Sequence, residues 1–349
     1  MSSLTSLSAL LQESGAQFRI YDMGRQISKI SVKQFALIEK GQQIYPKPYL
    51  HHAWLALLLW NPKQKAQNVV WFLKFPLDEQ GHLVQAVRDD FINRLMLNIN
   101  QMLSSADISE AEDALKDNPF SFTPDQEKMA VFHALTAKET QSPKSQYYPL
   151  CQNYFSGHRQ WSDWQDLGLQ GIAEIAVNIE DNKKQLLSNF AHFEDAPLIA
   201  LCSALEHSNI DHKLATQIST KLEQSLSQES PNISLCCALL RALHGSPDEA
   251  VKLDNINKLL NSTISDNAEV LTTIAVKMCD LLTQPTLLQL FLEKLATGEA
   301  GQQGFSRILA DLMFNEKLRL AILQAFRSPE RSPQLSQAIG NMFGSNFSQ

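Results

Sequence analysis

The chain has 349 residues, 44 % of them apolar, which is enough for two or three domains with packed cores. Its longest unbroken apolar run, residues 53–60, is too short to span a bilayer, and the first residues lack a secretion-signal pattern. Five cysteines without a Cys-x-x-Cys pair argue against a disulfide framework or a cysteine metal site. We therefore expect a soluble, cytoplasmic protein, and we assign it no cofactor and no metal.

The net charge of −7 is unevenly distributed. Residues 1–100 contain 11 Lys and Arg against 7 Asp and Glu and carry +4, whereas the remainder carries −11. The acidic part would repel a phosphate backbone, which argues against nucleic acid as its partner. The basic part suits an acidic partner or the acidic helices of the same chain.

Residues 1–103 have the pattern of a small α+β domain. The segment "QFRIYD" at 17–22 alternates like a half-buried strand, and "RQISKIS" at 25–31 continues it as a second extended piece. Ser31 and Gln34 form a capping box for a helix that ends at Gly41.

Two apolar runs and a helix complete this domain. "AWLALLLW" at 53–60 and "VVWFLKFPL" at 69–77 favour antiparallel strands, although the first also suits a buried helix. After a turn at Gly81, the helix predicted over 86–103 presents apolar side chains to the sheet: Phe91, Leu95, Ile99 and Met102.

Residues 104–166 are predicted to be a helical connector and cap. An acidic helix is expected over 108–116 and another from Pro124 to about 138. An aromatic cluster follows, at Tyr148, Phe155, Trp161 and Trp164. Such a cluster could be an exposed binding platform, but we favour its covering the open end of the next helical unit.

Residues 167–349 repeat with a period near 35 residues. Pairs of amphipathic helices recur, and equivalent apolar positions share the spacing of one helix face. In the first helix of each pair, the apolar residues at 198, 202 and 205 recur 35 positions later at 233, 237 and 240. Those at 235 and 239 recur at 270 and 274 and again at 305 and 309. We expect a HEAT/armadillo-like α-solenoid, the alternative being a non-repetitive helical domain.

Four Ser-Pro or Thr-Pro pairs are predicted to begin helices, with the hydroxyl as N-cap and proline as the first helical residue. They are Thr123-Pro124, Ser230-Pro231, Ser246-Pro247 and Ser332-Pro333.

Several stretches resemble a known family. "FRIYDMGRQISKIS", "AWLALLLWNP", "WFLKFPLDEQGHLVQAVRDDF" and "FTPDQEKMAVFHAL" are similar to a family of gammaproteobacterial proteins catalogued only as a domain of unknown function. The resemblance is specific over residues 15–175 and looser beyond. It implies a bacterial cytosolic protein, and it carries over no activity, cofactor or site residue.

Two groups of polar residues are candidate sites. Asp78, Glu79, His82, Asp89 and Asp90 surround the Gly81 turn, where convergence would suit a metal or general acid–base chemistry. The same residues also suit an ordinary polar turn and an ordinary helix start.

The second group is Asp22 and Arg25, which flank the bend at Gly24. They could pair with each other, stay solvated, or clamp an anionic ligand or a peptide, and we favour a structural role.

We expect a non-enzymatic interaction or adaptor protein that binds a protein or peptide partner on an acidic helical-repeat surface. One alternative is an enzyme or small-ligand sensor with its site in the N-terminal α+β domain. Another is a nucleic-acid factor using Arg19, Arg25, Lys29 and Lys33, which we regard as the weakest.

Overall fold

The computed structural model describes residues 6–13, 17–61, 64–104 and 118–344. Its fold is α+β, with a small antiparallel sheet near the N-terminus and many helices after it. Two compact units are present. The first comprises Met1–Gln126 with Lys138–Ser142, and the second comprises Glu127–Ala137 with Pro143–Gln349.

The first unit contains a four-stranded antiparallel sheet in the order β2-β1-β3-β4. Its elements are α1 (Leu7–Glu13), β1 (Gln17–Asp22), β2 (Ser28–Ile30), α2 (Val32–Glu39), β3 (His52–Asn61), β4 (Gln64–Pro76) and α3 (Gln85–Ser104). Both apolar runs are therefore strands, as the strand interpretation predicted. The possibility that residues 53–60 form a helix is wrong.

The register of the sheet follows from its apolar alternation. Ile20 of β1 lies opposite Ile30 of β2 and Leu57 of β3, and all three are buried. Helix α3 covers this face through Phe91, whose ring centroid lies 5.4 Å from that of Phe75 on β4.

Local signals in this unit are largely confirmed. The Ser31 side chain accepts a hydrogen bond from the Gln34 amide, so it caps α2 as predicted. Gly41 and Gly81 have φ of +66° and +86°, which favour glycine. The side chains of Ile99 and Met102, and the predicted helix at 108–116, lie outside the described residues.

The helices after residue 125 are α4 (Gln126–Thr140), α5 (Tyr148–Phe155), α6 (Leu169–Val177), α7 (Ile179–Asn189), α8 (Asp195–Leu205), α9 (His212–Leu226), α10 (Ile233–Leu243), α11 (Glu249–Leu260), α12 (Ala268–Lys277), α13 (Pro285–Thr297), α14 (Gly301–Met313), α15 (Glu316–Ala325) and α16 (Pro333–Gly344). None of these, nor any other described helix, is long and apolar enough to cross a membrane.

These helices pack in two rows, in which each helix contacts the one two places further along the chain. The first row is α6, α8, α10, α12 and α14, and the second is α5, α7, α9, α11, α13 and α15. Leu198, Leu239, Ile274 and Phe305, four of the predicted apolar positions, are completely buried, whereas Ile233 is half-buried.

Side chains about one predicted period apart are hydrogen-bonded across the second row. The amide of Asn255 on α11 donates to the Ser219 hydroxyl on α9 at 2.8 Å, across 36 positions. Lys258 and Glu223 form an ion pair at 2.9 Å across 35 positions. These contacts join the polar faces of α9 and α11.

Three of the four predicted helix starts are wrong. Helix α4 begins at Gln126, two residues after Pro124. Asn232 caps α10 by accepting from the Leu235 amide, and Asp248 caps α11 by accepting from the Val251 amide. Both acceptors lie two residues after the predicted serines, and Asn and Asp rank with Ser as N-caps. Only the prediction at Ser332, whose hydroxyl accepts from the Leu335 amide, is confirmed.

The aromatic cluster is divided between core and surface. Tyr148 and Phe155 are buried, whereas Trp161 and Trp164 are half-buried. The Trp161 ring is edge-on to Tyr154 at a centroid distance of 5.5 Å and stacks on His192 at 5.9 Å.

Candidate functional site

Asp22 belongs to the core of the first unit. It ends β1 with 1 % of its surface exposed, and its Oδ1 accepts a 2.5 Å hydrogen bond from the Tyr45 hydroxyl. Burial raises the pKa of Tyr45 well above its usual value, and the Asp22 charge raises it further. Tyr45 therefore stays a neutral donor that holds Asp22 in place.

Arg25 contacts the segment that leads into β3. Its Nε donates to the Pro48 carbonyl at 3.1 Å, and its guanidinium lies 5.5 Å from the Tyr49 ring centroid. These contacts suit the structural role that the sequence favoured, and clamping of a ligand stays a prediction.

The acidic candidates around Gly81 serve the turn and the helix that follows it. The Asp78 carboxylate accepts from the amides of Gln80 and His82, each at 2.9 Å, and so closes the turn. Asp89 and Asp90 on α3 pair with the neighbouring Arg88 and with Arg94. In each pair the two residues are at most four positions apart in the chain.

Glu79 is exposed, and the Nδ1 atom of His82 is buried without a hydrogen-bond partner. Among the residues that the structure describes, no group of three or more His, Cys, Asp or Glu side chains is placed to hold a metal ion. The metal interpretation of this cluster therefore has no support in the described part of the chain.

Two of the four basic residues considered for nucleic-acid binding are engaged by one carboxylate. Glu139 pairs with Arg19 at 2.6 Å and with Lys29 at 3.2 Å. Burial raises the pKa of Glu139, but hydrogen bonds from Arg19 and Lys29 outweigh this effect and lower it overall. The carboxylate thus neutralises part of the local positive charge.

A buried ionic cluster lies in the second unit, where sequence analysis placed no site. Glu206, just after α8, accepts from Lys277 Nζ at 3.0 Å and lies 3.1 Å from His207 Nε2. The Nε atom of Arg241 on α10 lies 3.9 Å from the second carboxylate oxygen of Glu206. Burial lowers the pKa of Lys277. Because 71 positions separate Lys277 from Glu206, no local sequence pattern signals this pair.

The second unit also contains an open groove of about 600 Å³ between α13 and α15. This volume falls within the ~300–1,000 Å³ range of ligand-binding clefts. Its apolar lining comes from Pro285, Leu288 and Leu290 of α13 and from Ala321 and Ala325 of α15. The polar lining consists of Thr283, Thr286, Gln289, Glu293, Gln324, Ser328 and Glu330.

The charged side chains that line the groove are acidic. Its lining residues include no His, Cys, Lys or Arg. One of its two carboxylates, Glu293, accepts from the amide and hydroxyl of Ser332 and from Gln289 at 2.8 Å. Glu330 is exposed. The groove thus offers shape, apolar contact and two carboxylates.

A cavity of about 470 Å³ lies beside β4 in the first unit, lined by residues 68–73, 118 and 121–123. One side is the segment that pairs with β4, where the Lys74 amide donates to the Phe120 carbonyl at 2.7 Å. The predicted site residues lie elsewhere, and none of the residues that line this cavity is titratable in the physiological range.

The chain matches the model of the family DUF3549, described as a protein of unknown function, over residues 2–343. It therefore belongs to that family. No curated protein and no solved structure matches the chain.

Proposed function

We propose that this chain is a non-enzymatic interaction or adaptor protein, and that its helices form a HEAT/armadillo-like solenoid that binds a protein or peptide partner. The observation that carries this proposal is the groove between α13 and α15, which couples an apolar floor to a negatively charged rim. Clefts of this kind bind partner segments without any chemical step.

The two-row packing supports the solenoid arrangement. In a solenoid, each unit buries its apolar face only against adjacent units, so contacts repeat at one period. The pairs Ser219–Asn255 and Glu223–Lys258 have that property, at separations of 36 and 35 positions. Extended helical arrays of this kind are well suited to present a surface that binds other proteins.

The alternative of an enzyme or small-ligand sensor has a single supporting observation. The unsatisfied Nδ1 of His82 beside Asp78 is the kind of polar atom that a ligand could satisfy. A thermal shift of the full chain against a metal and metabolite panel, reversed by His82→Ala, would favour this alternative.

The adaptor proposal is tested by photo-crosslinking in the native host. A photo-reactive amino acid is placed at Gln324 on α15 and, in separate strains, at the exposed Leu37 on α2. We expect a discrete protein adduct from Gln324. Adducts from Leu37 alone would contradict the proposal, because they would place the partner on the α+β unit.

A further inference from the structure

We propose that the groove between α13 and α15 receives an amphipathic helix of a partner protein whose polar flank carries Lys or Arg. This inference rests on the proposed function and adds the chemistry of the partner. The groove, its charge and the exposed apolar side chain beside it carry the argument.

The floor of the groove is shaped to admit bulky apolar side chains. Leu288 on α13 is 1 % exposed and forms the base, while Ala321 and Ala325 on α15 leave space because their side chains are small. A helix that docks in such a groove projects apolar anchors at i, i+3, i+4 and i+7.

A large exposed apolar side chain extends this surface along α15. Leu320 is 57 % exposed. Residues four apart lie on the same side of a helix, so Leu320 is one turn from Gln324, which lines the groove. Exposed apolar side chains next to a groove extend the contact area available to a partner.

The charge of the rim selects a cationic partner. Glu293 and Glu330 are the charged residues of the lining, and both are acidic. The nearby Arg331 donates from its Nε to the Ser336 hydroxyl at 3.0 Å and is not part of the lining. Opposite charges at a rim steer encounter and reject like-charged competitors.

The test uses two fluorescein-labelled model peptides of about 18 residues, long enough to form a helix. Both carry the same leucine stripe at i, i+3, i+4 and i+7. One has lysines on its polar flank, and the other has glutamates at the same positions. Fluorescence anisotropy at low ionic strength measures the affinity of each peptide for the full-length protein.

Two variants of the full chain, each with a matched control, locate the site. Ala325→Arg fills the groove and adds one positive charge to it, and Ala250→Arg adds the same charge at an exposed position of α11. Glu330→Lys changes charge at the rim, and Glu229→Lys changes it at an exposed turn. Each pair alters net charge equally, so non-specific attraction of a cationic peptide affects both members alike.

We expect the lysine peptide to bind at least about tenfold more tightly than the glutamate peptide. Ala325→Arg should weaken lysine-peptide binding by about tenfold or more, and Glu330→Lys by about two- to fivefold. The two control variants should bind like the original chain. Equal affinity for both peptides, or equal effects of Ala325→Arg and Ala250→Arg, would overturn the proposal.

Hydrogen exchange of the complex separates this inference from the proposed function. Protection of α13 and α15 by the lysine peptide supports both. Protection confined to other helices of the array overturns the groove assignment and leaves the adaptor function standing. Absence of protection anywhere in the array counts against both.

Discussion

Lys277 and Glu206, 71 positions apart in the chain, form a buried ion pair that joins the end of α12 to the end of α8. The helix between them, α10, contributes Arg241 to the same cluster. One carboxylate thereby connects three consecutive helices of the first row. A contact of this kind ties neighbouring units of a helical array together.

Replacing this lysine should destabilise the chain. Lys277→Met removes the ammonium group that donates to the buried Glu206 carboxylate at 3.0 Å, and we expect a loss of about 3 kcal/mol in the free energy of unfolding. Lys213→Met, at an exposed position, is the control and should change it little. Urea denaturation measures both.

The pH dependence of the same pair has a defined sign. Burial lowers the pKa of Lys277 below the usual 10.5, so the unfolded chain binds more protons between the two pKa values. The stability contributed through Lys277 therefore rises as pH increases toward 10.5. The difference in unfolding free energy between the original chain and Lys277→Met should be larger at about pH 9.5 than at about pH 7. A difference that shrinks with pH would contradict this assignment.

Glu39 should hold helix α1 in place. This carboxylate is fully buried and accepts from the amides of Leu7 at 2.7 Å and Ser8 at 2.9 Å. Glu39→Ala leaves two amides without their acceptor and should cost about 2 kcal/mol, while Glu39→Gln retains one acceptor oxygen and should cost less. Hydrogen exchange of the α1 amides should be fastest in Glu39→Ala, slower in Glu39→Gln and slowest in the original chain. Unchanged exchange in Glu39→Ala would refute the role.

The helix caps provide a direct comparison between sequence expectation and structure. Asn232→Ala removes the cap of α10 and should cost about 1 kcal/mol, whereas Ser230→Ala should cost close to nothing. Thermal unfolding of the two variants distinguishes them. The opposite order would restore Ser230 as the cap.

A destabilising substitution in the last helix, α16, should affect the stability of the neighbouring helices only. Leu335 is completely buried on α16, which contacts α13 and α14. Leu335→Ala should cost about 2–5 kcal/mol and speed hydrogen exchange in α13 to α16 while leaving α6 to α10 unchanged. Leu323→Ala, at an exposed leucine, is the control. A uniform rise in exchange across all these helices would argue for one non-repetitive core.

Sequence reasoning succeeded where short-range patterns decide the structure. The alternation in "QFRIYD" and the N-cap at Ser31 both correspond to observed elements, β1 and the start of α2. It failed at Ser230 and Ser246 because Asn232 and Asp248, two residues later, supply the acceptors that begin α10 and α11.

The candidate site was harder to predict for a physical reason. The groove exists because Ala321 and Ala325 on α15 lie beside α13, and their small side chains carry no sequence signal of their own. Among the described residues, Leu320 is the one exposed leucine beside the groove, and it interrupts the polar side of α15. Acidic residues are adjacent in sequence at the Asp78 turn, which is the pattern of a candidate site. The Asp78 carboxylate instead closes a local turn.

If the partner binds in the groove between α13 and α15, filling the groove should abolish crosslinking there. Ala325→Arg or Ala250→Arg is introduced into the strain that carries the photo-crosslinker at Gln324. We expect the adduct to disappear with Ala325→Arg and to persist with Ala250→Arg. An adduct that survives Ala325→Arg at full yield would contradict binding in the groove.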